Sequence, residues 1–172
     1  MRTLVQAFHP KLRAFRVCRP WADAALEAGC VVRDLYALYP DGRLDVPAEQ
    51  AIAEAFDRLV FLHPLHWYAA PWLMKRWIDE VLQFGWAYGD RCTLEGKVWL
   101  NVVSVGAVVE EYGPEGNRRY TVAEFLRPYE RTAAFCGMQW EEPVKFYGAG
   151  VCDEDAVRAS VAEAVRRMVG TA

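Results

Sequence analysis

Residues 63–77 read HPLHWYAAPWLMKRW, and this stretch decides the fold. Each proline removes a backbone donor and drives the residue before it out of the helical region, so neither a continuous helix nor an ordinary strand fits it. Just upstream, Leu59 to Leu62 (LVFL) is an apolar run with no polar face, the mark of a strand buried on both sides. From Pro71 onward Met74, Trp77, Ile78, Val81 and Leu82 recur at helical spacing, while Lys75, Arg76, Asp79 and Glu80 take the opposite face. HPLHWYAA is therefore expected to be a loop joining a buried strand to a helix.

The same alternation extends in both directions. Thr3 to Phe8 (TLVQAF) reads as a strand ending at His9-Pro10, followed by a helix with Pro20 in its first turn and Gly29 at its end. Val31 to Leu35 is a second strand. The loop YPDGRLD leads to a helix from Pro47 to about Asp57 that Asp45 can cap. After the linker FGWAYGDRCTLEGK come a strand over Val98 to Val105 and a helix opened by the capping box Thr121-x-x-Glu124. Pro128 is expected to kink that helix and Gly137 to end it. A fifth strand is predicted near Val144 to Tyr147, and a helix from Asp153 to Val169 with Val157, Val161, Ala164, Val165 and Met168 on one face.

Five strands alternating with helices predict an α/β fold of one domain over residues 1–172: a five-stranded parallel sheet covered by helices on both faces. Ligands of such sheets bind outside the carboxyl ends of the strands. Three loops then matter most: His9 to Cys18, His63 to Ala70 and Ser104 to Gly116.

Composition narrows the function. The chain is 53% hydrophobic and 25% charged, with a net charge of -3, a balance that argues against a nucleic-acid or anionic-membrane surface. Five dispersed cysteines without a CxxC predict a reducing, cytoplasmic setting and no metal ribbon. VWLNVVSVGAVV, the most apolar later run, falls short of a spanning helix, and MRTLVQAFHPK is not expected to be a signal peptide. No GxGxxG, GxxxxGK[ST] or GxSxG motif occurs. His63 and His66 have HxxH spacing but no third ligand, which favours a loop or capping role over a metal. Trp72 and Trp77 read as core or subunit surface, and Arg118-Arg119 as a solvated pair able to attract a nicotinamide phosphate.

The pattern HPLHWYAAPWLMKRWIDEVLQFGWAYG, with HPKLRAFRVCR before it and LRPYERTAAFCGM after it, resembles the flavodoxin-like NAD(P)H:quinone oxidoreductases. Within them it is most similar to the ancillary oxidoreductase subunits of glutathione-gated potassium efflux systems. The resemblance spans roughly residues 3 to 150. It implies FMN as cofactor, with FAD disfavoured by the short chain, and NAD(P)H as co-substrate. It further implies a quinone-like acceptor served by a ping-pong mechanism, and a homodimer. By the same resemblance His9, Phe15, Arg16, Val17 and Cys18 hold the flavin phosphate and ribityl chain. Pro64, Leu65, His66, Trp67 and Tyr68 face the ring, and Ser104, Val105, Gly106 and Ala107 contact its pyrimidine end. Trp86 and Tyr88 are expected as stacking walls, the GWAYG region reaching the opposite subunit's pocket, and Tyr112 as a tyrosine that bonds substrate. The alternative is a non-catalytic subunit that docks on a membrane transporter and so sits at the inner face of the membrane.

Two departures from the family pattern bear on flavin binding. Phe15 and Cys18 stand where relatives carry a serine and an asparagine, and residues 104–107 read SVGA where relatives read TTGG. Losing a hydroxyl donor to a charged acceptor costs about 1.5 to 3 kcal/mol, which Arg13, Arg16 or backbone amides can offset.

Overall fold

The computed structural model describes residues 1–170. Five strands, β1 (Thr3–Ala7), β2 (Val31–Asp34), β3 (Arg58–Pro64), β4 (Val98–Ser104) and β5 (Gln139–Phe146), form one parallel sheet in the order β2-β1-β3-β4-β5. Alternation along the central strand assigns its side chains to two cores. Leu59 and Phe61 point to one face, where Phe61 stacks on Trp99 with ring centroids 4.2 Å apart and meets Trp77 edge-on. Val60 and Leu62 point to the other face and pack with Trp21 and Met168. Both faces are dry, which explains why β1, β3 and β4 read as continuous apolar runs rather than alternating ones.

Helices α1 (Cys18–Glu27) and α6 (Glu154–Val169) cover the second face; the short α2 (Leu35–Leu38), α3 (Val46–Glu54), α4 (Trp72–Val81) and α5 (Val122–Phe135) lie on the first. Their ends follow local chemistry. Asp45 accepts from the Ala48 N–H, Asp153 from the Ala156 N–H, and Thr121 with Glu124 closes a full capping box. None of the helices of the described residues is long and apolar enough to cross a membrane.

The structure differs from expectation at two prolines. β3 runs on through His63 and Pro64, so these two belong to the strand rather than the loop. Leu65 still donates to the Ser104 carbonyl at 2.8 Å, and the donor that Pro64 lacks would face β1, which has already turned away. β5 begins at Gln139 instead of Val144, because a register shift opposite Leu100 and Val102 gives Pro143 a place on this edge strand. α5 carries Pro128 inside its span. The second strand also stops one residue early: Asp34 caps α2, a one-turn helix not predicted, by accepting from Ala37.

A buried acid joins the first-face helices to the sheet. Glu49 has no exposed surface and accepts two bonds from Arg33, at 2.8 and 2.7 Å, one from the Tyr39 hydroxyl at 2.6 Å and one from Trp77 Nε1 at 2.8 Å. The four donors satisfy both oxygens and tie β2, the segment after α2, and α4 to α3. Removing one partner of such a pair leaves the other charge buried alone. Glu49→Ala should therefore lower unfolding free energy by about 3–5 kcal/mol, read as a shift of the urea midpoint; replacing Glu49 and Arg33 together with leucine and methionine should cost much less.

Candidate active site

Three segments leave the carboxyl end of the sheet side by side. The Phe8 N–H bonds the Leu62 carbonyl, Leu65 bonds Ser104, and Val105 bonds Phe146. The loops after β1, β3 and β4 therefore start level with one another, on either side of the β1/β3 switch in chain direction, where this topology leaves a crevice.

After β1 a 3-10 turn (Leu12–Ala14) folds the chain back toward α1. The N–H groups of Arg16, Val17 and Cys18 are successive donors with no acceptor among the described residues. Consecutive free amides at a helix start form a concave anion site that does not depend on side-chain identity. His9, 3% exposed, accepts the Lys11 N–H on Nδ1 at 3.0 Å, and burial, with a smaller contribution from His66, lowers its pKa to about 4. The neutral ring thus carries its proton on Nε2, a buried donor without a partner among the described residues. Phe15 lies against that imidazole, ring centroids 4.1 Å apart. Its ring therefore shields His9.

Val17 is buried, and the Cys18 thiol is spent on Ser104, 3.2 Å away, with burial raising its pKa to about 12. This contact fastens the start of α1 to the end of β4 and makes the cysteine inert rather than a ligand-facing nucleophile. Arg16 is exposed and lines a cleft of about 380 Å³ against Glu154 and Arg158 of α6.

The loop after β3 is a two-residue turn between His66 and Ala69, which exchange both backbone bonds. Its central residues, Trp67 and Tyr68, have φ of 47° and 65°. Left-handed backbone at two adjacent aromatic residues is strained, of order 1 kcal/mol or more each, and such strain gathers at functional sites. The turn leaves both N–H groups without acceptors among the described residues and holds Trp67 89% exposed. Beneath it Ala70 donates to the Tyr129 hydroxyl at 2.7 Å. His63 is wholly buried, its Nδ1–H directed at the Pro64 carbonyl, and burial lowers its pKa to about 4.

The loop after β4 presents its carbonyls inward: those of Val105, Gly106 and Ala107 accept from Ala149, Gly150 and Gly148. The N–H groups of Gly106, Ala107 and Val108 have no acceptor among the described residues. Farther on, Arg118 was expected to be solvated but is engaged. It donates to the Tyr68 hydroxyl at 3.1 Å, pairs with Glu111 at 3.0 Å, and lies 5.5 Å from the Tyr112 ring. Tyr112 packs on Tyr147 and Phe125, and burial raises its pKa, so it stays protonated at neutral pH.

These parts fit a flat, phosphorylated cofactor. Three amides and an orphaned imidazole N–H answer a phosphate, a strained aromatic turn offers planar walls, and a second set of free amides can meet polar ring atoms. The structure brings together His9, residues 15–18, 64–68 and 104–107 with Tyr112. It does not bring Trp86 and Tyr88 there. Trp86 Nε1 bonds Glu54 at 2.6 Å, and Lys97 bonds the Glu54 and Phe56 carbonyls, which places this segment at the amino end of the sheet beyond the far end of α4. Sequence reasoning missed the role of Arg118. A hydrogen bond spanning fifty residues leaves no local signal.

The chain matches a family model described as flavodoxin-like fold over residues 1–170. It is 35% identical over 170 residues to the uncharacterized NAD(P)H oxidoreductase YdeQ of Bacillus subtilis, covering 98% of this chain and 86% of that one. It is 42% identical over 123 residues to the glutathione-regulated potassium-efflux system ancillary protein KefG of Pectobacterium carotovorum, 71% and 67% of the two chains. Among solved structures, a thermophilic tryptophan halogenase from Streptomycin violaceusniger superposes with a TM-score of 0.93 at 40% identity, over 98% of this chain and 99% of that one. General stress protein 14 of Treponema denticola, in complex with FMN, gives 0.87 at 36%, over 99% and 97%. An NADPH-quinone reductase of P. pentosaceus gives 0.87 at 26%, over the whole of both chains.

Both buried imidazoles bear on acid stability. A histidine whose folded pKa lies below its unfolded value of 6.5 contributes stability that is full above that pH and lost as the pH falls toward about 4. NMR titration of the three histidines should find His9 and His63 protonating near pH 4, with the denaturant midpoint falling between pH 6.5 and 4. Each imidazole is worth roughly 3 kcal/mol at most. Titration of either above pH 6 would contradict this.

Proposed function

Because the chain belongs to the flavodoxin-like fold family, we propose that it is an FMN-dependent NAD(P)H oxidoreductase acting on a quinone or similar flat acceptor. The run of free amides at residues 16–18, with the unpartnered His9 Nε2–H in the same loop, carries the reading, since it suits the phosphate of FMN. The FMN in the Treponema denticola relative and the names of the NAD(P)H oxidoreductase and quinone reductase relatives support it. When bound, the flavin supplies a two-electron relay between nicotinamide and acceptor.

The chain's own residues then bind, orient and exclude water. Residues 16–18 and His9 hold the phosphate, the Trp67-Tyr68 turn and Pro64 flank the ring, and residues 104–107 meet its polar edge. Nicotinamide and acceptor use one open side in turn, which gives the ping-pong pattern. Tyr112, kept protonated, is a hydrogen-bond donor toward substrate.

A homodimer completes this picture. Phe84, Tyr88 and Phe135 cluster at the far end of α4 and α5, with Phe84 66% and Phe135 55% exposed. Such surface favours burial against a second copy, and only across subunits can the half-buried Tyr88 serve a cleft, while Trp86 stays in the core. A second reading follows from the potassium-efflux relative: a subunit that docks on a transporter without turnover.

Titration with FMN and FAD, followed by flavin fluorescence, separates the two. FMN should bind more tightly than FAD, NAD(P)H oxidation with a small quinone should give parallel double-reciprocal lines, and light scattering should give a dimer. A chain that takes up no flavin is the docking subunit. Phe15→Ser should lower the FMN dissociation constant by up to about tenfold, and Arg16→Ala should weaken binding and reduce its salt dependence. Unchanged titrations in both variants would refute the phosphate-loop assignment.

A further inference from the structure

Arg118 and Tyr68 form the one polar link between side chains of the loops after β3 and β4 that is seen among the described residues. Tyr68 is aimed by its left-handed backbone and by Phe125, whose ring centroid is 4.9 Å away. Arg118 is held from behind by Glu111 and by the Tyr112 ring. A guanidinium can only donate, so the Tyr68 oxygen is the acceptor of the 3.1 Å bond, and the phenol's own proton must point elsewhere. No acceptor for that proton exists among the described residues, and the residue is 40% exposed on the loop that leaves the carboxyl end of β3. A phenol that accepts a bond from a cation is a stronger donor in its turn.

We propose that the Tyr68 hydroxyl, polarised by Arg118, is the hydrogen-bond donor that meets the carbonyl oxygen of the electron acceptor. The inference rests on the flavoenzyme reading above and specifies its acceptor class: compounds whose oxygen gains negative charge during reduction, quinones above all. In the net reaction the quinone takes up a hydride and a solvent proton and leaves as hydroquinone, while the nicotinamide leaves oxidised. Tyr68 keeps its proton throughout. It stabilises charge developing on the acceptor oxygen, and Arg118 is a positioning residue that acts through it.

The test compares p-benzoquinone with ferricyanide, which takes single electrons and has no carbonyl oxygen to stabilise, using the FMN-loaded chain. Tyr68→Phe keeps the ring and loses the donor. It should lower kcat/KM for the quinone roughly ten- to a hundredfold, mainly through kcat, and lower ferricyanide reduction far less. FMN affinity, read by fluorescence titration, separates a lost flavin contact from a lost donor: the quinone loss should exceed any weakening of FMN binding by about tenfold. Arg118→Met should reproduce the quinone loss, the double variant should add little to it, and Arg118→Lys should restore part. Equal losses with both acceptors, additive losses in the double variant, or full quinone activity in Tyr68→Phe would overturn the assignment while leaving the flavoenzyme reading in place. A parent chain that binds no FMN would overturn both.

Discussion

A carboxylate with no access to water is the constraint on which this molecule's first face depends. Charge cannot be buried cheaply, so Glu49 is tolerable only while Arg33, Tyr39 and Trp77 all donate to it. That requirement fixes how α3 lies on the sheet, where the chain runs after α2, and how α4 is rotated about its axis. α4 opens directly after the Trp67-Tyr68 turn, so its rotation sets where the turn projects. The polar network that holds the middle of α4 thereby bears on the geometry at its start.

The turn itself runs against local preference. Asparagine and glycine are the residues that suit two consecutive left-handed positions, and here tryptophan and tyrosine occupy them. Such a conformation survives only where its surroundings over-determine it. The His66–Ala69 backbone pair, the Ala70 bond to Tyr129, the Phe125 ring and the Arg118 guanidinium supply that support from four directions. Three of these come from α5 and the loop before it, so the strained turn reports on the docking of that region.

Much of the fold is legible because its signals are local. Asp45, Thr121 with Glu124, and Asp153 announce helix starts through bonds spanning three residues, and Gly29 and Gly170 take the positive φ that ends helices. The continuous apolar runs of β1, β3 and β4 likewise follow from burial on both faces. Prolines misled at Pro64 and Pro143, because what matters is which edge lacks a partner, and that is a property of the sheet. The candidate site is legible in part: its loops follow from topology and its aromatic turn from composition. The His9 tautomer, the Cys18–Ser104 contact and the Arg118–Tyr68 bond are not, since each joins groups whose encounter only tertiary structure arranges.

The three amides of residues 16–18 carry a consequence for how this chain tolerates change. Their donors belong to the main chain, so the anion-binding capacity proposed for the loop is written in dihedral angles rather than in letters. Side chains there can change without erasing the cradle. An alanine scan would leave these donors in place and register only what a side chain such as that of Arg16 adds. Proline is the replacement that would register at these positions, because it alone deletes the N–H. Binding residues of this kind are hidden from comparison of side chains by the feature that makes them durable.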